Sequence, residues 1–137
     1  MDRKQLVKAA REAAKHAYAP YSKFRVGAAV VVETPDGPQV VTGANIENAS
    51  FGLTLCAERN AIASACMLAA AGQTPTITQV AVSCVDAKKD ATAASRVPCG
   101  ACRQWLAELA PEAVYYIDGV PGEFHLKDLL PNAFQLG

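Results

Sequence analysis

The run from Phe24 to Val32 is β-branched and apolar around Gly27, and such a strand has no face to offer to water. A strand buried on both sides needs helices above and below its sheet. The neighbouring segments supply them. Leu6, Ala10, Ala13, Ala14 and Ala17 recur at helical spacing, so residues 2–18 read as an amphipathic first helix that ends before Pro20. The turn Thr34-Pro35-Asp36-Gly37-Pro38 leads to a second strand, Gln39 to Ile46, and the two strands form a hairpin. A second helix is expected from Ala57 to Ala71, with Ile62, Cys66 and Ala69 on one stripe and Gly72 as its terminator. Ile77 to Val85 reads as a third strand, and Asp86 to Arg96 as a surface loop. A third helix starts near Pro98 to Gly100 and ends by Pro111. Val114 to Asp118 and Glu123 to His125 read as two short strands, with a helical turn at Leu126 to Leu130. The order αββαβαββ implies an α/β fold: a three-layer α/β/α sandwich with a mixed sheet of about five strands.

Composition narrows the function. The 137 residues suit a single domain spanning 1–137. Thirteen basic residues balance thirteen acidic ones, which argues against a nucleic-acid partner that would need a basic surplus. The same balance argues against a polybasic membrane-surface protein. The most apolar stretch, Ala57 to Ala71, contains Glu58, Arg59, Asn60 and Ser64, so it does not read as a membrane span. The first residues lead into an amphipathic pattern with no apolar signal core. A soluble, cytoplasmic protein is expected.

The five cysteines are odd in number and lack a secretory context. In a reducing compartment, clustered cysteines more often bind metal or do chemistry. Two segments stand at helix starts: Cys56-Ala57-Glu58-Arg59, and Pro98-Cys99-Gly100-Ala101-Cys102-Arg103. Helix N-termini favour thiolate over thiol. Three thiolates meeting there would hold one zinc per chain and leave its fourth position open, as a catalytic zinc needs. A structural zinc site would want a fourth ligand, but His16 and His125 lie far from the cysteines in sequence and read as surface residues. Glu58 discriminates between the two. Alone it reads as a first-turn glutamate meeting the helix dipole. Followed by Pro-Cys-x-x-Cys, it reads as the carboxylate beside a zinc site that shuttles protons, the combination that marks zinc deaminases. Cys66 and Cys84 fit no ligand motif and read as buried structural thiols.

These two segments resemble those of the small, homotetrameric cytidine deaminases. Further resemblance lies in Tyr18-Ala19-Pro20-Tyr21-Ser22-Lys23-Phe24, Val26-Gly27-Ala28-Ala29, Asn45-Ile46-Glu47-Asn48-Ala49 and Leu129-Leu130-Pro131-Asn132-Ala133-Phe134. The matches keep the family's order and cover nearly the whole chain. The resemblance implies zinc on Cys56, Cys99 and Cys102, with Glu58 as the catalytic proton shuttle. It implies hydrolytic deamination of cytidine and deoxycytidine in pyrimidine salvage. Asn45 and Glu47 would bind the ribose, Phe24 would stack on the pyrimidine, and the Ala57 backbone would face the base carbonyl. Phe134 would reach a neighbouring subunit's site in a homotetramer.

Three thiolates outnumber the charges on zinc, so Arg59 and Arg103, each next to a catalytic or ligand residue, are expected to donate to the sulfurs. Phe51 stands where the family often has tyrosine, and the loop from Asp86 to Val97 is long. Two rivals remain. A blasticidin-type deaminase shares the zinc motifs, although Asn45-Ile46-Glu47-Asn48 and Arg59 favour the cytidine enzyme. A structural zinc or thiol redox module is the non-enzymatic alternative, and it explains neither Cys56 nor Glu58.

Overall fold

A computed structural model describes residues 1–137. Helix α1 spans Arg3–Ala14 and is capped by Asp2, whose Oδ1 accepts from the Gln5 amide at 2.9 Å. Strand β1 spans Val26–Thr34 and β2 spans Gly37–Ala44. Then come α2 (Ala57–Cys66), β3 (Thr76–Cys84), α3 (Gly100–Leu109), β4 (Val114–Ile117) and the single turn α4 (Leu126–Leu129). The strands form one mixed sheet in the order β2-β1-β3-β4, with β1 antiparallel to β2 and β3, and β3 parallel to β4.

Strand β1 is covered on both faces, as its sequence requires. Ala28, Val30 and Val32 face the larger core beneath α2 and α3, which also holds Ile62, Leu106 and Tyr115. Ala29 and Val31 face the opposite core, with Leu6, Val7 and Ala10 of α1. The period-two alternation of a strand divides one apolar run between two cores. Two glycines set the helix distances. A Cβ at Gly27 would fall 1.9 Å from the Ala10 carbonyl oxygen, and one at Gly43 would fall 2.5 Å from the Ala61 nitrogen. Both helices lie backbone against strand at these points, and the second contact fixes where α2 begins relative to β2.

The sheet has four strands rather than the expected five. Glu123 to His125 contributes one bridge, Tyr115 to Phe124, with hydrogen bonds of 2.8 and 2.9 Å. Its length is limited from both sides. Gly119 and Gly122 take φ of +85° and +89° in the preceding turn, and His125 already caps α4. Helix α2 also stops at Cys66 instead of Ala71. The Met67, Leu68 and Ala69 amides continue with i→i+3 bonds at 3.0 to 3.3 Å, so the chain tightens before Gly72 turns at φ +75°. No helix is long and apolar enough to cross a membrane.

Candidate metal centre and active-site cavity

Cys56 is the N-cap of α2 and Cys99 the N-cap of α3, and Cys102 lies in the first turn of α3. The two helix starts converge, and the three sulfurs lie within 4.8 Å of one another. The Cys99 and Cys102 sulfurs are 3.5 Å apart. Both helices turn their positive ends toward this cluster. Cys102 is buried, Cys56 half-buried and Cys99 exposed. A thiol hydrogen bond from Cys102, with further help from the Arg59 guanidinium, pulls the Cys56 thiol down to about 5. Cys102, as the donor, is pushed well above the ordinary thiol range, and burial adds to the effect. Three soft sulfurs at this spacing suit zinc. His16 and His125 are exposed and stand outside the cluster.

Beside the sulfurs lies a cavity of about 260 Å³. Glu58 forms part of its wall, in the first turn of α2, with 4% of its surface exposed. Burial, aided by the Cys56 thiolate, raises its carboxyl to about 7. A buried carboxylate that holds its proton near neutrality is suited to take and return one. Ala57 is fully buried at the first position of α2 and also lines the cavity. Its amide N–H is one of the helix-start donors without an intrahelical partner.

The same cavity collects Phe24, Asn45 and Glu47. Asn45 and Glu47 lie just beyond β2 rather than within it, where Tyr18 and Ile46 form a short parallel bridge. Asn45 holds the backbone that carries Phe24: its Nδ2 donates to the Phe24 carbonyl and its Oδ1 accepts from the Val26 amide, both at 2.9 Å. Glu47 accepts from the Tyr21 amide at 3.0 Å, the Ser22 amide at 3.1 Å and the Ser22 hydroxyl. The Ser22 hydroxyl leads in holding its carboxyl below the usual range.

The two arginines part company. Arg59 Nη2 donates to Cys56 Sγ at 3.3 Å and to the Thr54 carbonyl at 3.1 Å. Arg103 does not donate to a sulfur as expected. Its Nε donates to the Pro98 carbonyl at 2.7 Å and its Nη1 to the Leu129 carbonyl. It therefore holds the backbone ahead of Cys99, because the α3 turn aims residue 103 away from the cluster. Phe134 is 69% exposed and does not line this cavity; it borders a separate groove that Ala107 and Leu126 also line.

Sequence reasoning missed Ser22, Thr54 and Arg96, which also line the cavity. Ser22 and Arg96 come from loops, where no periodicity announces a direction. Cys66 and Cys84 are half-buried rather than buried. Cys84 lines the cavity wall at the end of β3, where the core gives way to the site.

The chain matches the family model of the cytidine and deoxycytidylate deaminase zinc-binding region over residues 1–118. It belongs to that family. The chain is 44% identical to a cytidine deaminase of Halalkalibacterium halodurans, with 98% of this chain and 95% of the relative covered. A cytidine deaminase of Mycobacterium tuberculosis is 45% identical, over 93% of this chain and 85% of the relative. The crystal structure of cytidine deaminase from Burkholderia pseudomallei superposes with a TM-score of 0.80 at 41% identity, covering 98% of this chain and 100% of that one. The family's zinc-binding region and the three-cysteine cluster together fit one zinc per chain.

Proposed function

We infer that this protein is a zinc-dependent hydrolase that converts cytidine and deoxycytidine to uridine and deoxyuridine with release of ammonia. One observation carries the reading: a buried carboxylate, Glu58, shares a cavity with Cys56 and Cys99 of the three-sulfur cluster. Cys56, Cys99 and Cys102 would hold the zinc. Zinc bound there supplies a Lewis acid at which water becomes nucleophilic near neutral pH.

The remaining steps belong to side chains. Water adds to C4 of the cytosine ring while Glu58 takes one of its protons and hands it to N3. The proton of the new C4 hydroxyl then passes, again through Glu58, to the amine. The C4–N bond breaks, leaving the uracil carbonyl and ammonia. Arg59 withdraws charge from Cys56, which keeps a site of three thiolates electrophilic. Arg103 serves the same site through the Pro98 carbonyl, ahead of Cys99.

Phe24 would stack on the pyrimidine, and the Ala57 amide would face the base carbonyl. Asn45 keeps one amide hydrogen beyond its bond to Phe24, and Glu47 keeps one acceptor position beyond its three. A sugar hydroxyl that accepts from Asn45 and donates to Glu47 fills both. We read residues 1–137 as one deaminase domain acting in the cytoplasm. We also read the active form as a homotetramer with shared sites. Phe51, Leu53 and Leu136 are 73%, 68% and 94% exposed, like Phe134 outside the core, and such apolar surface suits burial between chains.

Following ultraviolet absorbance with cytidine, deoxycytidine, cytosine and blasticidin S tests the reading. The first two substrates should lose the cytosine band, and free cytosine should react far more slowly. Turnover confined to blasticidin S would favour the antibiotic-deaminase alternative.

A further inference from the structure

Ser22 joins two walls of the cavity. Its hydroxyl donates to Glu47 Oε2 and accepts from the Phe24 amide at 3.0 Å. Between Ser22 and Phe24, Lys23 adopts φ +58°, a left-handed conformation costly for a side chain of this kind. The tight turn that presents Phe24 is therefore held from several sides. Glu47 binds the amides of Tyr21 and Ser22 at its start, and Asn45 binds residues 24 and 26 at its end. The Ser22 hydroxyl is the one side-chain group in this set bonded both to Glu47 and to the backbone of Phe24. Ser22 itself is exposed and lines the cavity with both.

We propose that Ser22 is a positioning residue that couples the Glu47 carboxylate to the ring wall at Phe24, so that binding the sugar sets the surface on which the base stacks. The proposal rests on the assignment of Glu47 to the sugar and Phe24 to the base. A sugar hydroxyl that takes the last acceptor position of Glu47 changes the charge available to the Ser22 hydroxyl. Ser22 passes that change to the amide of Phe24 through a single oxygen. A nucleoside without the hydroxyls cannot use the connection.

The experiment compares kcat/KM for cytidine and 2′,3′-dideoxycytidine, with zinc content and melting temperature checked for every variant. In Ser22→Ala the ratio between the two substrates should fall at least about tenfold, the scale of a lost hydrogen bond to a charged group. Turnover of the dideoxynucleoside should also fall, because the Phe24 amide loses its partner, but by clearly less than that of cytidine. Ser22→Thr, which keeps the hydroxyl, should restore the ratio. Ser22→Cys, with its weak donor, should repeat the loss and serves if the alanine variant does not fold. Added to Glu47→Gln, Ser22→Ala should cost less than a further about threefold, because both changes break one connection. Equal losses on both substrates, or fully multiplicative losses in the double variant, would overturn the proposal. If Glu47→Gln collapses the ratio while Ser22→Ala leaves it intact, the role of Ser22 alone falls. If Glu47→Gln leaves the ratio unchanged, the sugar assignment and the proposal fall together.

Discussion

Arg59 Nη2 lies 3.3 Å from Cys56 Sγ, and the Nε of the same guanidinium is buried with no hydrogen-bond partner. A side chain so placed faces the sulfur cluster. The Cys102 thiol leads in holding the Cys56 thiol low, and the Arg59 hydrogen bond and charge add to it. Replacing Arg59 by Gln removes that charge while keeping a donor. Turnover should fall about ten- to a hundredfold, the scale of one charge-assisted hydrogen bond. Metal analysis together with kcat checks the result, and full activity in Arg59→Gln would leave the arginine a merely packed residue.

The three-sulfur cluster predicts which cysteines matter for metal. Cys56→Ala, Cys99→Ala and Cys102→Ala should each lose zinc, since each removes one of the three ligands. Cys66→Ala should retain it. Cys84→Ala should also retain it although Cys84 lines the cavity, because its sulfur contacts the Arg96 carbonyl at 3.7 Å and stands outside the cluster. Undiminished zinc in Cys99→Ala would remove Cys99 from the ligand set.

The fold could be read from residues that repeat and the site from residues that cluster. The run from Phe24 to Val32 announced a strand covered on both faces; the strand begins at Val26, leaving Phe24 outside it, and from Ala28 to Val32 the two cores bear the reading out. Glu123 to His125 misled because three residues of strand-like sequence are too few to show the glycine turn before them or the helix cap after them. In the site, Cys56, Glu58, Cys99 and Cys102 were legible because short motifs at helix starts fix direction as well as position. Arg103 followed a ligand in sequence as Arg59 follows Glu58, yet a further residue along a helix rotates the side chain by about 100°. Adjacency in sequence therefore placed one arginine on sulfur and the other on a carbonyl. Ser22 and Arg96 were illegible as cavity residues because loops carry no period.

The proposal that subunits share sites makes a prediction for mixed chains. Phe134 is exposed and away from its own cavity, so Phe134→Ala should lower turnover without loss of zinc. Mixing Phe134→Ala chains with Glu58→Gln chains should restore part of the activity, since some mixed sites would combine two intact halves. A fully active monomer in sedimentation at assay concentration would refute the oligomer.

Arg25 grips Asp86 through Nε at 2.9 Å and Nη2 at 2.8 Å, and the Arg25 amide adds a third bond at 2.8 Å. The Arg25 side chain leads in holding the Asp86 carboxyl at about 2, below the unfolded value of about 3.9. A depressed carboxylate contributes stability that is present above its unfolded pKa and lost as pH falls through its folded one. Denaturant unfolding from pH 5 to 2 should show wild-type stability falling through that window. Asp86→Asn should be less stable at neutral pH by about 1 kcal/mol or less, as befits a partly exposed pair, and should lose less on acidification. Identical pH slopes for the two proteins would contradict the clamp.

Glu58→Gln tests the proton-shuttling role of Glu58 while preserving size and hydrogen bonding. With zinc content measured on the same sample, cytidine turnover should fall by at least about 10² to 10⁴, the usual contribution of a general acid–base, while the metal stays bound. Turnover within about tenfold of wild type, with zinc in place, would remove Glu58 from the mechanism.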